Sequence, residues 1–139
     1  MATKQKRYVP GDFELLVKRS FAGLGLFAGE RIPKNVCIIE YVGRTVSKQE
    51  ELTSRSKYLF SITRNKTIDG KPRVNKAGYI NHSCKPNAEP IIHDQRVFIF
   101  ATRSIKPAEE ITYDYGKEYI DEHCTPCKCN SCRLKGKKR

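Results

Sequence analysis

Three groups of reactive side chains stand close together in the second half of the chain. Asn81-His82-Ser83-Cys84 offers an amide, an imidazole and a thiol in one short run, and Ile111-Thr112-Tyr113-Asp114-Tyr115-Gly116 adds two phenols. Behind them, Cys124-Thr125-Pro126-Cys127-Lys128-Cys129-Asn130-Ser131-Cys132 carries four of the chain's six cysteines within nine residues. An amide and an imidazole can hold a polar ligand or satisfy buried main chain, phenols can orient a nucleophile, and clustered thiolates can hold a metal. A Cys84–His82 nucleophilic pair is disfavoured. Residues two apart in an irregular segment seldom bond through their side chains, and no nearby acid or amide is obviously placed to orient the imidazole.

Cys127, Cys129 and Cys132 are close enough in sequence to wrap one tetrahedral ion. Zinc suits thiolate ligands with no redox demand. The fourth ligand is open between Cys124, which is local, and Cys84, which is distant, with His123 a third choice. A redox role for Cys124-x-x-Cys127 lacks the strand-then-helix setting such motifs use. Cys37, inside a β-prone run, reads as a small buried apolar residue.

A chain of 139 residues fits one domain with one modest core. No apolar run approaches a membrane span, and the opening Met1-Ala2-Thr3-Lys4-Gln5-Lys6-Arg7 lacks the apolar segment of a signal peptide, so a soluble intracellular protein is expected. Lys and Arg number 27 against 15 Asp and Glu, a formal charge of +12. That balance favours anionic partners, with nucleic-acid association expected mainly through the basic ends: Lys4, Lys6 and Arg7 at one, Arg133, Lys135, Lys137, Lys138 and Arg139 at the other.

These groups need a scaffold, and the scaffold reads as many short strands. Alternation over Phe13–Lys18 predicts an early strand, and a glycine-punctuated bend follows over Ser20–Gly29. Val36–Val42 is strongly β-prone; Tyr58–Thr63 and Arg96–Ala101 read as further strands, with turns at Asp69-Gly70 and Lys106-Pro107. Ser47-Lys48-Gln49-Glu50 is a capping box, so a short helix is expected from Ser47 to about Ser54. Gly116–His123 has room for one or two helical turns. Gly23-Leu24-Gly25 is not a dinucleotide fingerprint, since Ala28 stands at the third glycine position and Pro33 falls where the helix should run. The adjacent acids Glu109 and Glu110, beside Pro107, read as a solvated turn.

Taken together, Tyr79-Ile80-Asn81-His82-Ser83-Cys84-Lys85-Pro86-Asn87 and Glu109-Glu110-Ile111-Thr112-Tyr113-Asp114-Tyr115-Gly116 resemble the two signature segments of the SET-domain protein-lysine methyltransferases. The resemblance runs from about Phe13 to Cys132: Ser20–Ala28 is similar to the family's opening segment, Glu40-Tyr41-Val42-Gly43 to the next strand, and Tyr58-Leu59-Phe60 to a segment with a cofactor-facing tyrosine. It implies a mainly β fold of several small sheets with short helices and a knot-like threaded C-terminal segment. The implied layout is a basic arm over 1–12, a SET domain over 13–117 and a post-SET zinc-binding segment with basic tail over 118–139. It further implies S-adenosylmethionine as methyl donor, approached by Gly23, Leu24, Gly25, Leu26, Tyr58, Tyr79, Asn81, His82 and Tyr115, with Leu134 capping the adenine. By the same resemblance Cys84 becomes the preferred fourth ligand of a structural zinc beside Cys127, Cys129 and Cys132. The shorter gap before the last cysteine and the extra Cys124 depart from the commonest family pattern.

In such an enzyme Tyr115 is the catalytic tyrosine, Tyr41 a second channel tyrosine, and Tyr113 the position that limits product. A phenol at 113 narrows the site and implies predominantly monomethyl product. The expected substrate is a protein lysine, on a histone-like or ribosomal protein. The contrasting expectation is a non-catalytic basic module that binds nucleic acid or a chromatin-like partner through a zinc-stapled tail; a binder has no need for Tyr41, Asn81, His82 and Tyr115 together.

Overall fold

A computed structural model of the chain describes residues 8–116, apart from Ala22, Arg55, Lys57, Asn65, Pro72 and Arg73. The expected zinc ligands Cys127, Cys129 and Cys132, the adenine cap Leu134, and the helical turns expected after Gly116 all lie outside the described residues.

In chain order the strands are β1 (Leu15–Ser20), β2 (Gly23–Ala28), β3 (Cys37–Tyr41) and β4 (Arg44–Val46), followed by helix α1 (Lys48–Thr53). Next come β5 (Leu59–Thr63), β6 (Lys66–Asp69), a 3-10 turn over Lys76–Tyr79, β7 (Asn81–His82), β8 (Ala88–His93), β9 (Arg96–Ala101) and β10 (Glu110–Tyr113). They form three small sheets, ordered β1-β2-β10-β7, β3-β9-β8 and β4-β6-β5. This is the mainly β architecture that the short apolar runs predict.

The segment read as a glycine bend is a strand. Gly23 to Ala28 pairs antiparallel with Leu15 to Ser20, and the reversal falls just before Gly23, whose φ of 100° lies in the left-handed region. The β8–β9 hairpin turns on Asp94 and Gln95, with φ of 52° and 60°. That primed geometry normally draws Asn-Gly or Asp-Gly, so the turn and β8 left little trace in the sequence. The capping box at α1 is closed in both directions: Glu50 N–H donates to Ser47 Oγ at 3.1 Å, and Ser47 N–H to Glu50 Oε1 at 3.4 Å.

β9 is central in its sheet and buried on both faces. Val97, Ile99 and Ala101 join Leu26, Ile32, Ile38, Ile105 and Ile111 in the main core, while Phe98 and Phe100 pack with Cys37 on the other side. Burial pushes the Cys37 thiol up to about 11, consistent with an inert packing residue. Tyr8 stacks on His93 at 3.7 Å and packs on this second cluster, so the chain is already docked ahead of Phe13.

Candidate active site

β10 is the strand on which the site is built. It lies between β2, which it meets antiparallel through Glu110↔Phe27 and Ile111↔Leu26, and β7, which it meets parallel through Thr112↔Asn81 and Tyr113↔His82. The two signature segments are thereby side by side, although 29 residues separate Asn81 from Glu110. Asn87 ties the arrangement from below: its amide donates to the Glu110 carbonyl at 2.8 Å and its Oδ1 accepts the Thr112 N–H at 2.9 Å.

A cavity of about 440 Å³ opens beside this junction. Leu24, Tyr41, Tyr58, Tyr79, Asn81, Tyr113 and Tyr115 all line it, together with Leu59, Phe60, Gly78 and Ile80. Four of the lining residues are contributed around the 3-10 turn and its exit, so that turn forms one wall. Its position depends on Asn75, a fully enclosed amide: Oδ1 accepts the Val42 N–H at 3.0 Å and Nδ2 donates to the Gly70 carbonyl at 3.0 Å. Asn75 thus joins the ends of β3 and β6 to the turn.

The three tyrosines are held differently. The Tyr41 hydroxyl donates to the Tyr58 carbonyl at 2.7 Å, and the Tyr115 hydroxyl donates to the carbonyl of Ile80. Tyr113, almost wholly buried, stacks obliquely against Tyr115 with ring centres 5.1 Å apart.

His82 does not line the cavity; it stands behind Tyr115. Its Nδ1 accepts the Tyr115 N–H at 3.0 Å, which puts the ring proton on Nε2, 3.3 Å from Cys84 Sγ. Burial holds this imidazole below its usual pKa, with the Asp114 carboxylate opposing the shift. The Cys84–His82 contact that sequence spacing argued against is therefore present, and Cys84 itself is exposed. Among the described residues no group of three or more His, Cys, Asp or Glu side chains is placed to hold a metal.

Gly23 and Gly25 do not line the cavity either, and the Leu26 side chain is wholly in the core. Gly25 instead makes room. A Cβ there would fall 2.3 Å from Glu110 Oε2 and 3.0 Å from Asn81 Nδ2. Glu110, expected in a solvated turn, sits at the start of β10 and takes hydrogen bonds from Ser20 Oγ at 2.7 Å and Asn81 Nδ2 at 2.8 Å. It and Asn75 are the residues that sequence reasoning missed. A glutamate paired with Glu109 shortly after Pro107, and an asparagine between Val74 and Lys76, carry no local mark of such partners.

A small mainly β body with two signature strands paired edge to edge at a tyrosine-lined cavity defines a recognisable class. The chain belongs to the SET-domain family, whose model matches residues 23–116. It is 38% identical over 133 residues to the Drosophila melanogaster protein named Histone-lysine N-methyltransferase trr, covering 85% of this chain and 6% of that one. It is also 38% identical over 137 residues to Histone-lysine N-methyltransferase ASHH3 of Arabidopsis thaliana, covering 86% and 37% of the two chains. Among solved structures, ctPRC2 in an autoinhibited conformation bound to S-adenosylmethionine superposes with a TM-score of 0.70 at 28% identity, over 76% of this chain and 15% of that one. The chain thus spans a minor part of the relatives it matches. No helix among the described residues is long and apolar enough to cross a membrane.

Proposed function

We propose that the chain is an S-adenosylmethionine-dependent protein-lysine methyltransferase that adds predominantly one methyl group to a histone-like or ribosomal protein, in a soluble intracellular setting. The observation that carries this reading is the convergence of Tyr41, Tyr113 and Tyr115 with Asn81 and Leu24 on one cavity. The names of the relatives support the substrate class, and the donor in the ctPRC2 structure supports the co-substrate.

Tyr41 and Tyr115 both spend their hydroxyl hydrogen on main-chain carbonyls. What each phenol can offer an incoming amine is therefore an oxygen lone pair, which suits it to orient an N–H. A lysine ammonium must first give its proton to water, at a cost of roughly 4–5 kcal/mol at pH 7. The apolar walls at Leu59, Phe60 and Ile80 and the positive charge of a sulfonium both lower the lysine pKa and recover part of that. The amine lone pair then attacks the methyl carbon, the carbon–sulfur bond breaks, and its electrons remain on sulfur. Methyl-lysine emerges as a secondary ammonium and the donor as S-adenosylhomocysteine. Alignment of nucleophile, carbon and leaving sulfur is the main contribution left to the protein. The buried Tyr113 ring and its hydroxyl restrict the room for an amine that already carries a methyl group.

Zinc belongs to the same reading. The Nε2–H of His82 points at Cys84 Sγ, an outer partner of the kind that supports a thiolate ligand. Cys84 would join Cys127, Cys129 and Cys132 in a four-thiolate structural site, which would bring Leu134 to the donor's adenine. Residues 13–117 would then be the catalytic body and 118–139 its zinc-binding segment, with the basic ends free to associate with nucleic acid. Chelation should abolish activity by disordering the donor site.

The test is transfer of labelled methyl from S-adenosylmethionine to histones, ribosomal proteins and whole-cell extract, with Tyr115→Phe as control. Folded, zinc-loaded protein that labels nothing at millimolar donor overturns the proposal.

A further inference from the structure

Glu110 stands apart from Tyr113, on the other face of β10. Along β10, Glu110 and Thr112 are half-buried while Ile111 and Tyr113 are buried, the alternation of a strand with two distinct faces. Asn81 is the direct neighbour of Thr112 across the parallel pair, so its amide projects toward the Glu110 side. Both hydrogens of that amide are committed: Nδ2 donates to the Leu24 carbonyl at 3.1 Å and to Glu110 Oε2 at 2.8 Å. A carbonyl and a carboxylate are acceptors only, so the amide cannot be turned around without facing oxygen to oxygen on both sides. Its Oδ1 is consequently the end presented to a ligand in the cavity that Asn81 and Leu24 line. Ser20 Oγ secures the other carboxylate oxygen at 2.7 Å, and the bare Cα of Gly25 leaves the space that the carboxylate fills.

We propose that Glu110 is a positioning residue for the methyl donor: its carboxylate locks Asn81 with the amide oxygen toward the cavity and adds negative charge there, so that the site selects a ligand bearing an α-ammonium group. This rests on the reading of the cavity as a sulfonium-donor site. The ammonium of the donor's methionine portion is the group in question, and it would meet an oriented acceptor backed by a carboxylate. The adenosine portion makes no use of this network, which gives the assignment an internal control.

The experiment is calorimetric titration of the full chain with S-adenosylhomocysteine, which carries the ammonium, and with methylthioadenosine, which lacks the amino-acid portion. Wild type should bind the first more tightly than the second. Glu110→Gln keeps the shape but removes the charge; its oxygen can still accept from Asn81 while its N–H donates to the Ser20 hydroxyl, so the variant isolates the contribution of the charge. It should lose roughly tenfold or more in affinity for S-adenosylhomocysteine while methylthioadenosine affinity stays within about twofold. Ser20→Ala, which releases only one oxygen of the carboxylate, should fall between the two. In methyl transfer, the KM for donor should rise in Glu110→Gln with kcat at saturating donor nearly kept. If Glu110→Gln weakens both nucleosides equally, or leaves their ratio unchanged, the assignment is overturned while the donor site stands. A wild type that binds neither nucleoside overturns the donor-site reading itself.

Discussion

The main-chain N–H of Tyr115 donates to Nδ1 of His82 at 3.0 Å, across the end of a parallel pairing that is only two residues long. Two rungs of parallel sheet are a weak clamp by themselves. The imidazole extends the clamp past the end of β10, and the Tyr115 hydroxyl closes it again on Ile80. The phenol proposed to act in catalysis is therefore fixed at both its backbone and its tip to the segment that carries Asn81.

For Tyr115→Phe the ring and the bond to His82 remain, and only the hydroxyl goes. Turnover should fall by about 100-fold or more, the scale expected when an orienting hydrogen bond at the reacting atoms is lost. Donor affinity should stay within about threefold, and stability should drop by about 1 kcal/mol as Ile80 loses a partner. Calorimetry with donor beside steady-state rates separates these effects. A near-wild-type rate would remove the phenol from the mechanism.

Tyr113→Phe makes room beside the Tyr115 ring, 5.1 Å away. Mass spectrometry of a methylated peptide should show mainly monomethyl-lysine from wild type and a shift to di- and trimethyl-lysine from the variant. Mostly trimethyl product from wild type would sink the steric argument.

Asn75→Ala leaves the Val42 N–H and the Gly70 carbonyl without their side-chain partner in a nearly dry setting. The loss should be about 2–3 kcal/mol in urea or thermal unfolding, because two bonds go and buried polar groups are left bare. An unchanged midpoint would mean that the loop ends hold their places without it.

Glu109 gives a pH dependence with a defined sign. Burial pushes its carboxyl upward, but the Arg103 guanidinium, the Lys106 N–H and the Asn87 amide together outweigh this and hold it below the usual carboxylate range. A depressed folded value contributes stability that is present above the unfolded value of about 4.3 and is lost as pH falls through the folded one. Acid unfolding of wild type should therefore steepen below about pH 4.3, and Glu109→Gln should flatten that part of the profile. Parallel curves for the two proteins would contradict the sign.

The strands β1, β3, β5 and β9 were legible because apolar alternation and β-branched runs are local signals: Arg96–Ala101 is the central strand as read, and Ser47 caps the helix as its box predicts. The strands β2, β4, β6, β7, β8 and β10 were not, since two to six residues of mixed character acquire strand geometry only from their partners. The reactive side chains themselves were also in plain view. Tyr41, Tyr113, Tyr115 and Asn81 could be named from residue type and from the family resemblance.

What remained for the tertiary structure was adjacency. Only the insertion of β10 between β2 and β7 sets Glu110 against Asn81 and over Gly25, and only the folded loops bring Asn75 to Val42 and Gly70. Composition and spacing along a chain encode which groups exist and which strand face each prefers. They do not encode which distant partner completes a hydrogen bond, because that choice is made by burial and strand register across the whole molecule.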